Sequence, residues 1–466
     1  MLKRITPDDT SGAMVRLGDV KTAAPFVSGL EYGAPARGVW NIVHIGMLLP
    51  GAHQIYVCAG NCLRGVVLTA AEMNAQSRFS TITIKENNVL DGDMETLIIE
   101  GVTDILHRLP KRPPAVLVFT SCIHHFLGCD LALCYRELRK RFPDVDFTDC
   151  YMNPIMRKSG LTPDQLMRRQ LYSLLKPRAQ DDGVNILGNC FPTDETSELV
   201  KIIRQTGRPL RDITVCKTYE DYQKMAASAL HIAYNPPARA GGEALSNRLG
   251  GTFLYLPLSH TAKTIRKNLR MLCEALGTSY DPSEDEARAE AALLHAKKLL
   301  GETEIAIDYT ATPAPMSLAR CLLEHGFRVT RIYADSIAAD DQEDFRWLQE
   351  HAPDTALYAT VQVKLRVLPR ETQTPTLAIG QKAAYFTGTQ HFVNIVEGGG
   401  MYGFDGLCRL AELMEEAHRT ERDARDFIQQ KGLGCDSCLW NRRKPFSQPT
   451  PPMFPACARR FLSSAA

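Results

Sequence analysis

The sequence is poor in several things that would fix its class at once. It has no run of 18 or more apolar residues, so no membrane-spanning helix is expected. Its first residues, MLKRITPDDTSG, lack the apolar stretch of a secretory signal. It has almost no net charge: 54 Lys and Arg against 53 Asp and Glu leave +1. That balance disfavours a nucleic-acid-binding surface, which needs a basic stripe. Tandem repeats are absent, and the one biased stretch is a Pro-rich tail, KPFSQPTPPMFP at 444–455. There is no G-x-x-x-x-G-K-[ST] phosphate loop, no H-E-x-x-H and no G-x-S-x-G. The Gly-rich EGGGMYG at 397–403 does not match G-x-G-x-x-G and reads as a turn before a helix. A cytoplasmic protein is the expectation.

What the chain does have is 14 cysteines in 466 residues. In a large chain without an export signal, that number points to metal or redox work rather than disulfides. Free cysteine is also among the most buried residue types, so most of the 14 are expected to be small core side chains.

Apolar runs alternate with helical patterns along the chain. PAVLVFTSC (114–122) precedes LALCYRELRKRF (131–142), and GVNILGN (183–189) precedes SELVKIIRQTG (197–207). DITVCKT (212–218), HIAYNPP (231–237), TFLYLPL (252–258), TEIAIDY (303–309) and RVTRIYAD (328–335) read as further strands. TAKTIRKNLRMLCEALG (261–277) and SLARCLLEHG (317–326) read as helices. This rhythm predicts an α/β fold with mostly parallel sheets. At roughly 150 residues per domain, three Rossmann-like domains are expected. The boundaries fall at 1–180, 181–295 and 296–466. The charged stretch 279–301 reads as a solvated helix or a linker.

Cys122 closes an apolar strand and precedes a helix, where open α/β sheets bind their ligands. A thiolate there would gain from a helix N-terminus. Cys129 follows in FLGCD, with His124 and His125 between. Cys58 and Cys62 form C-x3-C; in a helix, that spacing would set both sulfurs on one face. Converging thiolates suit iron–sulfur clusters. The histidines His44, His124 and His125 read as structural. Near the C-terminus, Cys435 and Cys438 form C-x-x-C, with Cys457 downstream. They suit a second zinc or iron site, or a simple thiol pair.

These residues also carry a resemblance to the nitrogenase component 1 superfamily. That group includes nitrogenase molybdenum–iron protein subunits, a cofactor-assembly scaffold, the catalytic subunits of dark protochlorophyllide reductase, and nickel-tetrapyrrole reductases. FTSCIHHFLGCDL (119–131) is similar to the family's T-x-C followed by G-D-D, with Cys122 on the cluster cysteine. HQIYVC (53–58) matches H-G-P-x-G-C at its His and its Cys. RFSTITIKENNVLDGDMETL (78–97) and the YGFDG turn (402–406) also resemble family segments.

The resemblance implies a [4Fe-4S]-type cluster held by Cys58 and Cys122, with Cys62 and Cys129 next. It implies a site between domains and a shared interface in a homodimer or with a sister subunit. It implies electrons delivered by a separate ATP-dependent iron protein. The chain departs from the family at three points. Counting back for the first cluster cysteine reaches Tyr32 and Gly33, with no Cys, so Cys62 or Cys129 takes that role, or an oxygen ligand such as Tyr32 does. No cysteine lies in 231–251, where the iron–molybdenum cofactor would be anchored. His391 lies near the anchoring histidine but out of register. No iron–molybdenum cofactor and no dinitrogen reduction are therefore expected. His391 and Glu397 are the candidate proton donors, with loop roles as the plainer alternative. A non-catalytic assembly scaffold is the alternative function.

Overall fold

The computed structural model describes residue 6 and residues 9–27, 29, 31–34, 41–153, 160–368, 370 and 374–423. The chain forms two compact units. One runs from Asn41 to Pro192 and includes Gly207–Leu256; the other joins the N-terminal segment, Thr193–Thr206 and the chain from Pro257.

The first unit holds two four-stranded sheets. One has the order Phe79–Ile84, His53–Ala59, Ala115–Thr120, Asp146–Tyr151, all parallel. Every residue of Ala115–Thr120 is buried. Parallel strands covered on both faces need such continuous apolar runs, which is why AVLVFT was readable. Helix Met94–Arg108 turns Met94, Ile98, Ile99, Val102 and Leu106 inward. They meet Ile55, Val57, Val116 and Val118 in one core. The other sheet has the order Leu210–Asp212, Asp181–Leu187, Ser228–Ala233, Thr252–Tyr255, again parallel.

The second unit holds a six-stranded sheet. Its order is Met14–Arg16, Ala356–Tyr358, Arg328–Tyr333, Glu304–Asp308, Thr376–Ile379, Phe392–Val393. All its pairs are parallel except that of Met14–Arg16 with Ala356–Tyr358. The architecture is thus mixed α/β with mostly parallel sheets, as the alternating rhythm predicted.

The charged stretch 279–301 is not a linker. It contains helix Ser283–Leu300, which buries Asp285, Ala289, Leu293, Ala296 and Leu300. The 4-4-3-4 spacing forms a stripe of Ala and Leu side chains, headed by Asp285, and the helix packs on helix Gly403–Arg419. The run 212–218 is not a strand either. The strand stops at Asp212, whose carboxylate accepts the Thr214 N–H at 2.8 Å and turns the chain. No helix among the described residues is long and apolar enough to cross a membrane.

Candidate metal centre

In the sheet that contains Cys58, strand His53–Ala59 leads to Phe79–Ile84 on one side, and the next strand, Ala115–Thr120, lies on the other. Chain direction therefore diverges between His53–Ala59 and Ala115–Thr120. Such a switch point leaves a crevice outside the carboxyl ends of the two strands. Cys58 and Cys122 stand there. Cys58 is the penultimate residue of its strand and fully buried; Cys122 is the first residue of helix Cys122–Phe126 and half-buried.

Cys62 comes with them by a different route from the one expected. Cys58 and Cys62 do not share a helix, because the strand continues through Ala59 and helix Gly60–Glu72 starts after it. Cys62 is exposed on the first turn of that helix. Burial pushes the Cys58 thiol up to about 12, and the neighbouring Cys62 and Cys122 sulfurs add to the rise. Cys58 therefore lies within electrostatic reach of both Cys62 and Cys122. A bound metal would reverse this: thiolate is the ligand form, and coordination displaces the proton.

His53, the other half of the HQIYVC match, serves the sheet. It is buried, its Nε2 lies 2.8 Å from Ser80 Oγ, and burial, with Arg78 nearby, lowers it to about 4. His124 closes a capping box: its Nδ1 accepts the Ser121 N–H at 3.1 Å. That bond leaves the proton of the neutral ring on Nε2, which is buried without a partner. Burial lowers the pKa of this histidine.

Cys129 goes elsewhere. It packs against the core cluster that contains Cys134, and Cys134 and Glu95 are the neighbours that perturb its thiol. Tyr32 is also engaged, its hydroxyl 2.9 Å from that of Tyr385. His391 holds the end of helix Gly403–Arg419, with Nδ1 2.9 Å from the Ala417 carbonyl. Glu397 sits at φ 50° at the head of the glycine turn Glu397–Gly400, and its N–H donates to the Thr310 carbonyl. Cys435, Cys438 and Cys457 lie outside the described residues.

Among the described residues, no three His, Cys, Asp or Glu side chains converge closely enough to hold a single metal ion. Cys58 lies within reach of Cys62 and of Cys122, but the three are not gathered as ligands of one ion. The Nε2–H of His124, on the same short helix as Cys122, is a buried donor without a hydrogen-bond partner. Thiols are the donor type that an iron–sulfur group takes, and Cys58, Cys62 and Cys122 are the thiols at this end of the sheet.

Sequence reasoning missed the Cys129–Cys134 pairing and gave Glu198 no role. Glu198 is fully buried, and its Oε1 accepts the Asp405 N–H at 2.9 Å at the start of helix Gly403–Arg419. Its Oε2 has no partner, and burial raises the carboxyl to about 7. The missed signal was an acid at an apolar helix position, between Ser197 and Leu199.

Residues 47–416 match the family model of nitrogenase component 1 type oxidoreductases, and the chain belongs to that family. A solved structure described as "Nitrogenase Cp1 at pH 6.5" is similar, with a TM-score of 0.62 and 14% identity. The match covers 86% of this chain and 96% of that one. At that identity the likeness establishes the shared fold. No curated protein sequence is significantly similar to this chain.

Proposed function

We propose that the protein is the catalytic component of a nitrogenase-like two-component reductase. The observation that carries this reading is the placement of Cys58 and Cys122 at a sheet's switch point, with Cys58 within electrostatic reach of both Cys122 and Cys62. These three cysteines would hold an iron–sulfur cluster of the [4Fe-4S] kind. When bound, such a cluster supplies one-electron transfer at low potential. Cys58 would bind from the buried interior and Cys62 from the exposed side. The family suggests an ATP-dependent iron protein as the electron donor, and the lack of a cysteine in 231–251 argues for a substrate other than dinitrogen.

A fourth ligand would come from a second copy of the chain or a sister subunit. Exposed Val67 and Leu68 follow Cys62 on its helix, and exposed Phe126 and Leu127 follow Cys122. Apolar side chains left bare beside an incomplete ligand set suit a covering subunit. Anaerobic purification with iron and sulfide analysis tests the cluster. Oxidation of the reduced protein by added substrates tests the reductase.

The exposure of Cys62 favours one second reading, a scaffold that hands its cluster to an acceptor. Incubation with an iron-free acceptor protein separates the two. A scaffold transfers iron and sulfide; a reductase keeps them.

A further inference from the structure

Cys129 and Cys134 meet because of how one helix begins. Helix Leu131–Arg141 is capped by Asp130, whose carboxylate accepts the Leu133 N–H at 2.9 Å. Cys129 therefore stands just before the cap and Cys134 on the fourth helical position. Side chains at those two places pack against each other across a helix start, usually as a hydrophobic staple. Here both are thiols, and Cys129 packs against the core cluster that contains Cys134. The backbone on either side is fixed. The Cys129 N–H donates to the His124 carbonyl at 3.0 Å, and the Asp130 N–H donates to Glu95 Oε1 at 2.6 Å. The Cys134 thiol also reaches the Glu95 carbonyl at 3.9 Å. Cys134 is fully buried in the core, whereas Cys129 is half-exposed, so an external reagent can reach only the latter.

We propose that Cys129 and Cys134 are an oxidisable dithiol, closed into an intrachain disulfide by a low-molecular-weight disulfide. The Cys129 thiolate, its proton lost to solvent, attacks one sulfur of the reagent. A mixed disulfide forms, and one reagent thiolate leaves. The Cys134 sulfur then attacks the Cys129 sulfur, and its proton goes to the second departing thiolate. Two protein thiols are oxidised, and one reagent disulfide is reduced to two thiols. Their placement at the start of one helix makes the second step intramolecular and therefore fast. The bond would covalently staple the Gly128 turn to helix Leu131–Arg141, and it would take Cys129 out of any cluster.

The test uses the full-length protein, prepared without oxygen, with the iron it carries. It is incubated with oxidised glutathione, alkylated, and cleaved on the N-terminal side of aspartates. Cleavage before Asp130 separates Cys129 from Cys134. The expected product is the two peptides joined by a disulfide and released by dithiothreitol. In Cys134→Ser, Cys129 is expected to retain glutathione instead. A Cys129 left as free thiol, a glutathione adduct persisting on it in the unaltered chain, or a bridge to Cys58, Cys62 or Cys122 each overturns the proposal. The readout involves no iron, so the cluster reading can fail while the dithiol stands.

Discussion

Cys58 and Cys122 leave neighbouring parallel strands at nearly one level. Val57 pairs with Thr120 across the ladder, so Cys58 lies one residue beyond that pair and Cys122 two. The helix after each strand then carries the chain away from the crevice between them. This relationship makes three thiols available at one sheet edge without any special loop.

The first prediction follows from that edge. Cys58→Ser and Cys122→Ser are each expected to lose most of the bound iron after anaerobic reconstitution, and Cys62→Ser a substantial part. Cys129→Ser is expected to retain it, because that thiol lies with Cys134 and Glu95. Iron and sulfide analysis of the four purified variants checks the ranking. Equal iron in Cys122→Ser and the unaltered chain would remove the assignment.

Glu198 gives a pH-dependent prediction. Its folded carboxyl lies at about 7, above its ordinary 4.5, chiefly through burial, and the nearby Asp285 and Asp405 also raise it. Folding therefore favours the protonated form. The stabilisation is whole below about 4.5 and is lost as pH rises through about 7. Glu198→Gln keeps an acceptor for the Asp405 N–H and cannot ionise. It is expected to exceed the unaltered chain in stability at pH 8 by on the order of 1–3 kcal/mol. Near pH 5 the two should be close. Melting curves at both pH values decide; an unfavourable effect at pH 8 contradicts the account.

Gly403 sets the opposite constraint on the same carboxylate. Its φ is +73°, and a Cβ there would lie 2.0 Å from Glu198 Oε2. Gly403→Ala combines backbone strain with a clash against a buried group that cannot retreat into solvent. A loss of about 2–4 kcal/mol is expected, read as a lower denaturation midpoint. An unchanged midpoint would mean that the helix start can move.

Asp308 supports the C-terminal sheet in the same manner. Fully buried at the end of its strand, it accepts the Thr310 and Ala383 N–H groups, each at 2.7 Å. Asp308→Ala orphans both donors and should cost about 2–5 kcal/mol. Urea denaturation of the variant measures it, and a cost within error would show that water replaces the carboxylate.

Much of this was legible in the residues. PAVLVFTSC announced both a buried parallel strand and a cysteine at its end, because a doubly covered strand must be apolar throughout. Cys58 was found by its match to HQIYVC, but its setting was misjudged. C-x3-C has helical spacing, and nothing local shows that the chain changes from strand to helix between the two cysteines. Helix Ser283–Leu300 was one of the two readings of 279–301, but its buried face escaped because Ala289 and Ala296 supply part of the stripe, and alanine does not stand out from a charged background. The Cys129–Cys134 contact depends on Asp130 being a cap, and the Glu198 pairing joins residues some two hundred positions apart. Those relationships exist only in three dimensions.

The most direct test of the central claim is metal analysis of the full-length protein, purified and reconstituted without oxygen, with its electron spin resonance spectrum after reduction. The account predicts a brown protein with iron and acid-labile sulfide in equal amounts. It also predicts a reduced-cluster signal that disappears in Cys58→Ser and Cys122→Ser. A colourless protein, free of iron after reconstitution, would contradict it.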